Sequence, residues 1–110
     1  QEGDYVVLKP RFSAFFHTEL DLILRRLGVR TLYLTGTTTP NCIRTTCYDG
    51  LSLDYNVGIL TDCCSSNSDE IQQANMMDMA NIGATLMTCA AFCDGKQATD
   101  WTDLVQAELL

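Results

Sequence analysis

Apolar positions along the chain change period several times, and the changes mark out elements. Residues 5–9 (YVVLK) are a compact apolar run that predicts a strand. Leu20, Ile23, Leu24 and Leu27 follow at i, i+3, i+4 and i+7, the spacing of one helix face. Thr18 stands where a helix N-cap belongs, Asp21 three residues on completes a capping box, and Gly28 stands at the stop. Residues 31–35 (TLYLT) predict the next strand, Gly36 to Asn41 a turn, and Cys42 to about Leu53 a helix.

A third strand is expected over 56–61 (NVGILT), ending at Asp62. The cluster SSNSDE then supplies cap chemistry for a helix over 69–82, closed by Gly83, and a fourth strand over 84–88. After Gly95 the chain turns polar, and TDWTDLVQAELL predicts a short acidic helix with Trp101 as its docking contact. The order is βαβαβαβα, which makes a mainly parallel central sheet with helices on both faces: an α/β three-layer sandwich of Rossmann-like type. Residues 1–95 form the body of that domain and 96–110 a tail helix. Four strands are few for such a sheet, so the sequence reads as beginning in mid-domain, with N-terminal strands missing.

Composition narrows the partners. Seven Lys and Arg against fourteen Asp and Glu give a formal charge of −7. That disfavours nucleic acid and anionic membrane, which need a basic face. No apolar run reaches the length of a membrane span, and QEGDYVVLKP is neither a signal nor a transit peptide, so a cytoplasmic location is expected. Six cysteines first suggest a disulfide scaffold. Adjacent Cys63 and Cys64, whose mutual bond would be strained, and the wealth of regular elements favour a reduced protein instead.

In open α/β sheets ligands bind beyond the carboxyl ends of the strands. Here those ends carry Lys9-Pro-Arg-Phe-Ser, Gly36-Thr-Thr-Thr-Pro-Asn-Cys42 and Asp62. Cys42 falls in the first turn of its helix, where backbone N–H groups and the helix dipole favour a thiolate, the reactive form of cysteine. If the first two strands are close neighbours, Lys9 adds an ammonium at the same edge. That setting suits a nucleophile. The plainer reading of Cys42 is a small buried hydrophobe.

Other residues invite plainer roles. His17 is the only histidine and precedes a helix, so it reads as a surface residue. Cys89 and Cys93 lack C-x-x-C spacing, so no metal site is expected of them. Met76, Met77, Met79 and Met87 are expected as core filler. Phe12, Phe15 and Phe16 are expected in packing, with Phe12 and Phe15, together with Asn41, as candidate walls of a substrate pocket.

The run from KPRFSAFF through TLYLTGTTTPNCIRTTCYDG to NVGILTD resembles the central and C-terminal part of the isochorismatase-like cysteine hydrolases, over roughly residues 4–92. The likeness rests on Lys9 with FSAF, Leu27-Gly28, Gly36 with Cys42 six residues on, Thr46, Asp49 and the aspartate after the third strand. The wording TPNCIR and LSLDYNV is similar to the ureidoacrylate-amidohydrolase-like branch.

The resemblance implies an aspartate–lysine–cysteine triad, of which Lys9 and Cys42 match two members. It further implies a non-proline cis peptide at Thr37–Thr38 and an oxyanion hole from the backbone N–H groups of Thr38 and Cys42. The implied chemistry is hydrolysis of a C–N bond in a small amide or ureido substrate through a cysteine thioester, without a cofactor from this chain. Nicotinamidase or isochorismatase activity is the alternative within the same family. The triad aspartate and any metal ligands would lie upstream of the lysine strand, so a companion N-terminal fragment and a homo-oligomer are expected partners. Cys47 and Cys63 stand where small residues such as alanine are usual. A reading of another class is a non-catalytic remnant that binds a partner through an exposed sheet edge.

Overall fold

The computed structural model describes residues 5–95 and 104–109. Its elements are helix α1 (Leu20–Leu27), strand β1 (Thr31–Thr37), a π-helical turn (Thr39–Ile43), α2 (Arg44–Ser52), β2 (Asn56–Ser65), α3 (Asp69–Asn81), β3 (Thr85–Met87), α4 (Cys89–Gly95) and β4 (Leu104–Leu109). All strand pairs are parallel, in the order β3-β2-β1-β4. The expected α/β class with a parallel central sheet is therefore present.

The register explains the layers. Leu32 pairs with Val57 and Leu34 with Ile59, so these four face one side. All are buried, in a cluster with Leu24, Ile43, Cys47, Met76 and Met79 from the helices and the turn. Gly50 lets α2 approach closely: a Cβ there would lie 3.2 Å from Val57 and 3.7 Å from Leu32. Tyr33 points to the opposite face. Its ring lies over Gly58, where a Cβ would come within 2.7 Å of it, and meets Phe92 of α4 edge-on at 4.7 Å. Helices thus cover both faces.

Local chemistry sets the helix ends. Ser68 accepts from the N–H of Ile71 and caps α3, with Asp69 and Glu70 in its first turn. Gly28, at φ 75°, ends α1 in the left-handed conformation that glycine adopts without penalty. The N-cap of α1 is Glu19 rather than Thr18. The Thr18 hydroxyl donates to the Ala14 carbonyl and accepts from the Leu20 N–H, and Asp21 pairs with Arg25 instead of closing a capping box.

Three further expectations about the fold are corrected. Residues 5–9 form no strand, and Val6 and Leu8 are 84% and 86% exposed. A strand exists by pairing, and both sides of β1 are taken, by β2 and by β4. Residues 104–109 form β4 rather than a helix: the open edge of β1 offers six register partners to that segment, from Thr31↔Leu104 to Gly36↔Leu109. Met77, at 65% exposed, is not core, whereas Met76 and Met79 are. Trp101 and the start of the expected tail helix lie outside the described residues. Among the described residues no helix is long and apolar enough to cross a membrane.

Candidate active site

Parallel strands bring their carboxyl ends to one edge, and β1 delivers the chain there through Gly36 and Thr37. The Thr37–Thr38 peptide is cis, at the position that the family resemblance implies. Pro40 stands in the first turn of the π-helical segment, where a missing N–H costs nothing. Within that segment the Thr38 carbonyl accepts from the N–H groups of both Asn41 (3.1 Å) and Ile43 (3.2 Å). The Thr39 hydroxyl, fully buried, donates to the Ser65 carbonyl at the end of β2. These bonds hold the turn on which Cys42 sits.

Cys42 is 7% exposed. Lys9 reaches it from a segment far away in sequence: Nζ lies 3.4 Å from Cys42 Sγ and donates as well to the Arg11 carbonyl at 3.2 Å. The segment that carries Lys9 is anchored just downstream, where the Ala14 N–H donates to the buried Thr46 hydroxyl of α2 at 2.9 Å. Thr46 thus ties the lysine segment to the helix that follows the Cys42 turn. Lys9 and Cys42 were both singled out in the sequence, and the fold brings them together.

Cys47 makes a useful contrast. It is fully buried one turn further on, and burial pushes its thiol up to about 11 despite the opposing charge of Arg44. That is the behaviour of a structural cysteine.

An open groove of about 470 Å³ is lined by Arg11, Phe12, Ser13, Phe16, Arg44, Thr45, Tyr48 and Asp49; Arg11 and Arg44 stand two residues after Lys9 and Cys42, which do not line it themselves. Phe12 lines this groove. Phe15 does not: it stacks on Tyr55 at 5.6 Å and packs against the core. Asn41 is exposed and donates its amide to the Thr38 hydroxyl, so it braces the turn rather than lining the groove. Sequence reasoning missed Arg44 and Tyr48. Arg44 stacks over the Tyr48 ring and donates to Asn75 and Asp78 of α3, and its bond to Asp78 raises its affinity for the proton. The i, i+4 spacing of Arg44 and Tyr48 on one helix face was the available signal.

His17 is exposed, with its ring against Phe16, and touches neither Lys9 nor Cys42. Among the described residues no group of three or more His, Cys, Asp or Glu side chains is arranged to hold a metal ion.

Comparison with known proteins places this geometry in context. Residues 1–91 match the model of the isochorismatase domain. The chain is 47% identical over 89 residues to a probable inactive nicotinamidase of Arabidopsis thaliana, covering 80% of this chain and 45% of that protein. It is 38% identical over 95 residues to the ureidoacrylate amidohydrolase RutB of an Enterobacter species, covering 86% of this chain and 41% of the relative. The chain therefore spans less than half the length of these curated relatives. An isochorismatase family protein from Desulfovibrio vulgaris superposes with a TM-score of 0.83 at 44% identity, over 86% of this chain and 50% of that one.

Proposed function

The chain belongs to the isochorismatase family of hydrolases, and on that premise we propose that it carries the nucleophile of a cysteine amidohydrolase. The observation that carries the reading is Lys9 Nζ at 3.4 Å from Cys42 Sγ, at the carboxyl edge of a parallel sheet. At that distance the ammonium donates to the sulfur and holds it in place for attack. The thiolate attacks the carbonyl carbon of a small amide or ureido substrate. In this reading the backbone N–H groups of Thr38 and Cys42 meet the developing oxyanion. Collapse of the tetrahedral intermediate expels the nitrogen, which takes a proton, and leaves a thioester on Cys42. Water then releases the acid and restores the thiol.

The groove walled by Phe12, Phe16 and Tyr48 suits a flat, small substrate lying against aromatic surfaces. A carboxylate that shuttles the protons completes the triad in this reading, and a companion N-terminal segment supplies it.

Hydrolysis of a panel of ureido and amide compounds, ureidoacrylate and nicotinamide among them, tests the proposal, with and without such a segment. Replacing Cys42 by Ala should lower any turnover by at least about 10⁴-fold. Turnover that survives Cys42→Ala would sink the nucleophile assignment. One specific observation favours a second reading, a non-catalytic binding subunit: the 47%-identical plant relative is described as probably inactive. Ligand binding without turnover by the completed protein would decide for it.

A further inference from the structure

Three thiols gather away from Cys42, at the junction of β2 and α4. The register of β2 with β3 runs Gly58↔Thr85, Ile59↔Leu86 and Leu60↔Met87, and the Thr61 hydroxyl donates to the Met87 carbonyl. This alignment carries Cys63 and the start of α4 to the same place. Asp62 joins them: its Oδ1 accepts from the Cys89 backbone N–H at 2.8 Å and from the Cys63 thiol at 3.8 Å. One carboxylate oxygen therefore bonds both Cys63 and Cys89, and Cys93 follows Cys89 one turn later on α4. Cys63 and Cys89 are half-buried and Cys93 is exposed, so a small reagent can reach the cluster. Nothing in the proposed hydrolysis uses these residues.

We infer that Cys63 and Cys89 form a thiol–disulfide site, closed by exchange with low-molecular-weight disulfides and opened by thiols. The choice of pair follows from geometry. Cys89 and Cys93 are i and i+4 on one helix, which holds their Cβ atoms about 5–6 Å apart. A disulfide needs about 3.5–4.5 Å. Cys63 and Cys64 are adjacent on a strand and point to opposite faces; Cys64 donates its thiol to the Leu34 carbonyl instead. Only Cys63 with Cys89 joins two different elements through residues that both bond the same Asp62 oxygen.

The exchange balances simply. A thiolate of the pair attacks RSSR, forms a mixed disulfide and releases one RSH after protonation. The second cysteine displaces RS from the mixed disulfide, releases a second RSH and closes the Cys63–Cys89 bond. Two cysteines are oxidised and one RSSR is reduced. The bond fastens the end of β2, whose Cys64 and Ser65 pair with Gly36 and Thr37 on the segment leading to Cys42.

The test takes the folded chain in a Cys42→Ala background, which removes the nucleophile's own reaction with the reagent. The probe is oxidised glutathione, followed by denaturing alkylation and intact mass. The expected product has lost two hydrogens, carries no glutathione, and has two fewer alkylatable thiols than the reduced chain. Cleavage before Asp69 and Asp78 separates Cys63 from Cys89, so the map should show two peptides joined until a reductant is added. Cys64→Ala and Cys93→Ala chains should keep the bond, and Cys63→Ala and Cys89→Ala chains should lose it. Stable glutathione adducts alone, an unchanged mass, or a bond that survives Cys63→Ala would each overturn the inference.

Discussion

Cys42 and Cys47 are the same residue type five positions apart, and the structure gives them different chemistry. Cys42 meets an ammonium at the sheet edge, whereas Cys47 is enclosed by the core cluster with its thiol pushed up to about 11. Thiolate is the form that alkylates, so at neutral pH Cys47 should be inert until the chain unfolds. Iodoacetamide should label Cys42 faster than the other five cysteines, and mapping the label over time measures this. Equal labelling of Cys42 and Cys47 in the folded chain would remove the argument for an activated nucleophile. Lys9 and Cys42 were legible in the sequence through the motifs KPRFSAF and GTTTPNC, and Cys42 also because it follows the end of a real strand, β1. Phe15 was not, because residues 10–19 carry no period that says which way a side chain points. Whether such a phenylalanine lines a groove or fills a core is decided by Tyr55 and Gly50, more than thirty residues away.

At the scale of elements, what was legible was what carries its own signal. The helix over 69–82 shows a cap at Ser68, acids in its first turn and a glycine after its end, and α3 forms over Asp69–Asn81. Removing the cap should therefore matter although Ser68 is exposed and touches no core residue. Ser68→Ala is expected to cost about 1 kcal/mol, read as a lower urea midpoint with an unchanged slope. Ser68→Asp should restore most of it, and an alanine variant as stable as the parent would show that the bond to Ile71 contributes nothing. The failures have a common cause as well. Residues 5–9 and 104–109 are both short apolar segments, and only one becomes a strand. A β-ladder is a property of two segments, and a single segment's pattern cannot say whether a partner edge is open. The short α4 was missed for a related reason: its seven residues are fewer than a helical period needs to declare itself.

For the whole molecule, the parallel sheet both gathers the site at one edge and encloses acidic groups in their protonated forms. Burial pushes the thiols of Cys47 and Cys64 from 9.0 up to about 11. Burial and the bond to Asp21 push the Tyr55 hydroxyl from 10.0 up to about 12. In each case the folded chain holds its proton more tightly than the unfolded chain does. Between the two values the native state binds more protons, so stability falls as pH rises. The contribution is complete below pH 9 and disappears as pH climbs through 11 to 12. Urea midpoints under reducing conditions should therefore decline from about pH 9 upward, and Tyr55→Phe separates the components. The phenylalanine variant loses the bond to Asp21 and starts less stable. It should then fall less steeply between pH 10 and 12, by on the order of 1 to 2 kcal/mol over that interval. Parallel curves for the two chains would mean that Tyr55 does not titrate with unfolding. The alkaline loss would then belong to the thiols of Cys47 and Cys64.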